Sequence, residues 1–206
     1  MDKVIFLIDN GHGTRKYTRG KCSPDRRIYE GEWNREFAAM LKERLDSVGV
    51  QSILLVPEEK DIPLKSRVER ANTITSNMKA AGIDTVLISI HINAAASDDK
   101  YHNASGWTVW ISGNASKKSR ELSKIFADNA VEMGLTGNRA ILPTGYWAAS
   151  LYILKNTVCP AILCENMFMD NIGDEEFLLS EEGKKRLIDL YENSILEYMQ
   201  IYDYKS

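Results

Sequence analysis

Val4-Ile5-Phe6-Leu7-Ile8 runs without a break into Asp9-Asn10-Gly11-His12-Gly13, so an apolar stretch ends on a histidine flanked by glycines. The plan recurs twice. Thr85-Val86-Leu87-Ile88-Ser89-Ile90 runs into His91, and Ala161-Ile162-Leu163-Cys164 runs into Glu165. Near-continuous apolar runs of this length read as strands covered on both faces. If the three are parallel neighbours, their last side chains emerge together at the carboxyl edge of the sheet, where open α/β folds carry their sites. Two imidazoles and a carboxylate meeting there point to a metal centre with a general base.

Helical patterns fill the gaps. Trp33, Phe37, Leu41, Leu45 and Val48 share one face of a helix expected from about Glu32 to Val48, with Gly49 as its stop. Further helices are expected from Leu64 to Ala81, from a Ser116 cap to about Met133, and from Glu181 to Gln200. Gln51 to Val56 and Gly106 to Ile111 read as additional strands. Gly13 to Tyr29 is too long for a simple connector and reads as a functional loop. Gly134 to Ser150 is broken by Gly137, Pro143 and Gly145 and reads as irregular. Without repeats or linkers, the expectation is one α/β domain over residues 1–206 with a mostly parallel sheet.

Composition excludes several classes. Basic and acidic residues number 26 and 29, a net charge of -3, so no bulk electrostatic case exists for a nucleic-acid partner. No apolar run approaches the roughly 18 to 20 residues of a membrane span, so no membrane insertion is expected. Met1-Asp2-Lys3 leads straight into the first strand with no secretory pattern. Cys22, Cys159 and Cys164 have no zinc-finger spacing, and Cys164 inside a strand reads as a buried free thiol.

Of three histidines, His12 and His91 hold equivalent strand-end positions, while His102 lies in a polar run and reads as a solvated loop residue. Two neutral histidines with one carboxylate form a catalytic zinc set that leaves a position for water. Glu30 and Glu32 are both candidates for the carboxylate, and spacing does not choose between them; acidic residues in a first helical turn also complement the helix dipole. Glu165 closes an apolar strand, which is costly unless the carboxylate is paired, metal-bound or facing a cleft. In a cleft it would serve as the general base.

These segments resemble the zinc-dependent N-acetylmuramoyl-L-alanine amidases, which cleave the bond joining glycan to stem peptide in peptidoglycan. The likeness rests on Ile8 to Gly13, on Glu30-Gly31-Glu32-Trp33-Asn34, and on Leu64-Lys65-Ser66-Arg67 with Ala71-Asn72. It continues through Ser89-Ile90-His91-Ile92-Asn93-Ala94 and Pro160 to Glu165, with Phe168 and Asn171. The segments fall in the family's order and cover nearly the whole chain. The resemblance implies a mixed sheet with helices on both faces, Zn2+ held by His12, Glu30 and His91, and Glu165 as the catalytic glutamate. It selects Glu30 over Glu32 because the family's ligand stands four residues before an asparagine, here Asn34.

The chain departs from the family pattern at Asn10, where the family usually has proline, and at Met167, where a glycine is common. The latter bears on the shape of the cleft. Without a signal peptide or wall-binding module, the chain resembles a phage or prophage lysis enzyme, made in the cytoplasm and acting on the wall after release or non-standard export. Rival readings are a zinc peptidase acting on the stem peptide and a non-catalytic peptidoglycan-binding protein. Arg67 and Asn72 match the family pattern and could equally brace the fold. Asn138, Arg139, Tyr146 and Trp147 offer groups suited to sugar stacking and carboxylate recognition. Wall type, host and oligomeric state stay open at this level.

Overall fold

A computed structural model describes residues 3–204; the Met1-Asp2 start and residues 205–206 of the expected domain lie outside it. The elements in chain order are β1 (Val4–Asn10), α1 (Glu30–Ser47), β2 (Ser52–Leu54), α2 (Leu64–Ala80), β3 (Asp84–Asn93) and β4 (Thr108–Ile111). They continue with α3 (Lys117–Glu132), β5 (Trp147–Ala148), α4 (Tyr152–Asn156), β6 (Ala161–Phe168), α5 (Ile172–Leu179) and α6 (Glu181–Ile201). One six-stranded sheet has the order β2-β1-β3-β6-β4-β5. β1, β3 and β6 are adjacent and parallel, as expected, whereas β4 runs antiparallel to β6 and makes the sheet mixed.

The alternation of side chains along each strand divides the core in two. Val4, Phe6 and Ile8, with Val86, Ile88 and Ile90, face α1, α3 and α6 through Phe37, Leu41, Phe126 and Tyr191. Ile5, Leu7, Leu87, Ala161 and Leu163 face α2 and α4 through Val68, Ala71, Ile153 and Leu154. Helices therefore cover both faces. Continuing the second set by steps of two gives Asp9 on β1, Ser89 and His91 on β3, and Glu165 on β6. The apolar half of that face lies under α2 and the five-residue α4, and its polar half sits beyond them at the carboxyl edge.

Several boundaries differ from the sequence expectation. β3 runs through His91 to Asn93 and β6 through Glu165 to Phe168, so these side chains stand within the ladder and not after it. Their aim is thus set by register, with His91 opposite Glu165. α1 begins at Glu30 rather than near Glu32. β2 and β4 are shorter than read, and β5, α4 and α5 carry too few residues for periodicity to reveal them.

Past His91 the pairing of β3 with β6 slips, since Asn93 lies opposite Phe168. The extra residue on β6 forms a bulge, and Met167 within it has φ 65°. Glycine takes that conformation without steric cost, whereas a methionine does not. Here the Met167 side chain is buried in the core under α1, α3 and α6, and that contact holds the strained backbone. Relief of strain is worth about 1–2 kcal/mol and loss of a buried methionine about 2–5 kcal/mol. Met167→Gly is therefore expected to lose about 1–3 kcal/mol in denaturant unfolding. A gain in stability would mean that strain outweighs packing at the bulge.

Candidate active site

The loop Asn10-Gly11-His12-Gly13 carries the first histidine. His12 itself holds φ 63°, so the strained position is the histidine and not the glycines beside it. The glycines serve close approach. A Cβ on Gly11 would lie 2.2 Å from the His91 ring, and one on Gly13 would lie 2.6 Å from the Asp61 backbone nitrogen. Gly31 is packed the same way, its Cβ position 1.9 Å from the Gly13 carbonyl oxygen. The loop and the start of α1 are thus pressed together, which brings Glu30 against His12.

Glu30, His12 and His91 offer ligand atoms that all lie within 4.8 Å of one another. Glu30 Oε2 is 3.3 Å from His12 Nε2, and Glu30 Oε1 is 3.0 Å from His91 Nδ1. The backbone N–H of Ile92 donates to Glu30 Oε1 at 3.2 Å, fixing the carboxylate on β3. The two imidazoles meet edge to face with centroids 5.1 Å apart. Glu30 is buried, while both rings retain partial exposure on the open half of the face. Burial lowers the pKa of His12, with the Glu30 charge opposing it. Burial would lower His91 as well, but the hydrogen bond and charge of Glu30 outweigh it and hold that pKa above the ordinary value. Burial likewise opposes ionisation of Glu30, and the two histidines overcome it to keep the carboxylate charged. A buried anion flanked by imidazoles suits a cation in place of the shared proton.

Glu165 stands beside this cluster, opposite His91 on one side and Thr108 on the other. Its Oε2 is buried without a hydrogen-bond partner. Burial pushes its pKa up to about 7; the Glu30 charge adds to this, and His91 and Lys21 oppose it. A carboxyl that exchanges a proton near neutral pH is suited to general acid–base work.

Arginines set the loop. Arg67 Nη1 donates to Asp9 Oδ1 at 2.8 Å and to the Asn10 carbonyl at 2.7 Å. Ser89 Oγ donates to the other Asp9 oxygen at 2.6 Å. Arg35 Nη1 donates to the His12 and Gly31 carbonyls, each at 2.7 Å. Asn34 Nδ2 donates to the Gly11 carbonyl at 3.2 Å. Asp9, Ser89 and Arg35 were not among the residues singled out from sequence. Asp9 and Ser89 had a signal in the two-residue step that links them to Leu7 and Leu87. Arg35 had none, because its targets are backbone carbonyls.

The remaining candidates separate cleanly. Glu32 accepts from Arg15 Nε at 2.9 Å and lies outside the cluster, so Glu30 is the carboxylate brought to the histidines. His102 pairs with Asp98 at 2.9 Å. Asn72 donates to the Asn156 carbonyl and accepts from the Val158 N–H, tying α2 to the end of α4. Asn138 bonds to Asn103 and Ser105, tying the loop after α3 to the segment before β4. Tyr146 packs against the core under α3. The Arg139 guanidinium lies over the Trp147 ring, 5.1 Å from its centroid, and neither residue belongs to the cluster.

A carboxyl of raised pKa beside a donor set able to take a cation is the equipment of a hydrolase. Residues 6–197 match the model of the N-acetylmuramoyl-L-alanine amidases, and the chain belongs to that family. No curated protein sequence matches the chain. Among solved structures, an N-acetylmuramoyl-L-alanine amidase from Clostridium difficile 630 is similar with a TM-score of 0.80 at 24% identity, covering 97% of this chain and 98% of that one. The catalytic domain of CwlV from Bacillus (Paenibacillus) polymyxa var. colistinus gives 0.74 at 22% identity, covering 95% and 98%. The catalytic domain of the CD27L endolysin targeting Clostridia difficile gives 0.65 at 20% identity, covering 96% and 98%. At these identities the likeness is one of fold. Among the described residues no helix is long and apolar enough to cross a membrane.

Proposed function

We propose that this chain hydrolyses the amide between the lactyl group of N-acetylmuramic acid and L-alanine in peptidoglycan, with zinc held by His12, Glu30 and His91. The observation that carries the reading is the meeting of those three donors within 4.8 Å, in register with the unpartnered carboxyl of Glu165. The donor types and the charge on Glu30 fit a divalent cation. Zinc bound there would supply Lewis-acid activation of water and of the scissile carbonyl. Glu165 takes the proton from the attacking water and delivers it to the departing alanine nitrogen. Arg35, bonded to the His12 carbonyl, holds the loop that carries the first ligand through the step.

A peptidase acting within the stem peptide would use the same donors, so the products decide. Purified chain is expected to contain about one zinc and to release peptides that begin with L-alanine while leaving the glycan intact. A chelator should stop that release, and added zinc should restore it. New amino termini elsewhere in the stem would replace the amidase reading with the peptidase one. Absence of both zinc and cleavage would favour a wall-binding protein.

A further inference from the structure

One hollow opens on the cluster and a second begins one strand beyond Glu165. The first, of about 420 Å³, is bounded by His12, His91, Asp61, Pro63 and Leu64. The other, of about 530 Å³, lies between α3, through Lys124, Ala127 and Asp128, and the loop that carries Arg139 and Trp147, and it reaches Thr108, the strand neighbour of Glu165. Trp147 stacks on Trp110 with centroids 5.5 Å apart, and Trp110 lies two residues beyond Thr108 on the same face. The Arg139 guanidinium lies 5.1 Å from the Trp147 ring and 5.5 Å from the ring of Phe168, the residue after the β6 bulge. Its Nε is buried without a hydrogen-bond partner. The aromatic platform beside the general base therefore ends on a positioned cation with unused donor capacity.

We infer that Arg139 binds a carboxylate of the stem peptide, namely the free α-carboxylate of the residue that follows L-alanine; this rests on the amidase reading above. The two halves of the substrate differ in charge. Once the lactyl acid is tied up as an amide, the N-acetylated glycan is neutral, whereas the peptide carries free carboxylates. The opposite hollow offers apolar Pro63 and Leu64, and the arginine that lines it, Arg67, is already paired with Asp9 and Asp61. The Arg139 side offers a planar fork of donors already ordered by two aromatic faces, the geometry that suits bidentate carboxylate recognition. The peptide thus lies along Thr108 and Trp147, and the glycan on the Pro63 side.

The test uses soluble disaccharide-peptides whose second residue bears either a free α-carboxylate or its amide, with wild type, Arg139→Ala and Arg139→Lys. Wild type should prefer the free acid by about 10- to 100-fold in kcat/KM, expressed mainly in KM. In Arg139→Ala that preference should collapse toward one, and Arg139→Lys should restore part of it. Equal losses on both substrates, together with a fall in Tm, would make Arg139 a brace for its loop and overturn the assignment. So would a wild type indifferent to the amide. Failure of wild type to cleave either substrate at the alanine bond would instead defeat the amidase reading on which the assignment rests.

Discussion

Glu165→Gln is expected to keep its metal and its fold while turning over peptidoglycan at least about 10²-fold more slowly. Glutamine preserves the shape and hydrogen-bonding size of the side chain but cannot accept the proton of the attacking water. The expected donors of the cation are on other elements, at the loop after β1, the start of α1 and β3, so the substitution leaves them untouched. The fold should benefit. In the metal-free wild type Glu165 has a pKa raised to about 7, so the folded chain holds a proton that the unfolded chain releases near 4.5. Wild-type stability therefore falls as pH rises through that window, and the amide, which does not titrate, escapes the loss. Glu165→Gln should match the wild type in unfolding at pH 4 and exceed it at pH 8. Metal content and release of L-alanine termini, measured on the same preparation, separate the two effects. Full activity in the variant would mean that another group is the base.

How much of this could be read from residues follows from what each feature depends on. The three strand ends were legible because burial on both faces forces continuous apolar runs, and the parallel order that unites them follows from helices between strands. Glu30 was not separable from Glu32 by pattern. Both lie in the first turn of α1, and what distinguishes them is that the start of α1 packs against the His12 loop through Gly31. The antiparallel β4 was invisible because its direction depends on a connection from β3 that carries no helix. The departure at Met167 was visible, but its meaning needed the bulge, where the backbone is left-handed and a buried side chain compensates. Arg67 could be read as binding or bracing until its partners were seen.

Those partners make Arg67 the largest stability determinant expected at the site. It is fully buried on α2, and every bond it makes ties the carboxyl end of β1 or the 61–62 loop to that helix. Asp9 is as deeply buried, with Ser89 as its other side-chain partner. Arg67→Met fills much of the volume but strands a buried carboxylate together with the Asn10 and Ile62 carbonyls. Breaking a buried pair in this way costs about 3–5 kcal/mol, a large share of the about 5–15 kcal/mol that holds a domain together. Adding Asp9→Asn removes the stranded charge, so the double variant should recover a good part of the loss; substitutions that share partners are not additive. The same edge carries His12, whose carbonyl also faces Arg67, so zinc affinity should fall in the single variant along with stability. Urea unfolding of the four chains in the cycle, each metal-free, measures the coupling between residues 9 and 67. A single-variant loss below about 1 kcal/mol would show that the hydrogen bonds of Arg35 and Asn34 suffice to hold the loop, and that the Asp9–Arg67 pair contributes little net stability.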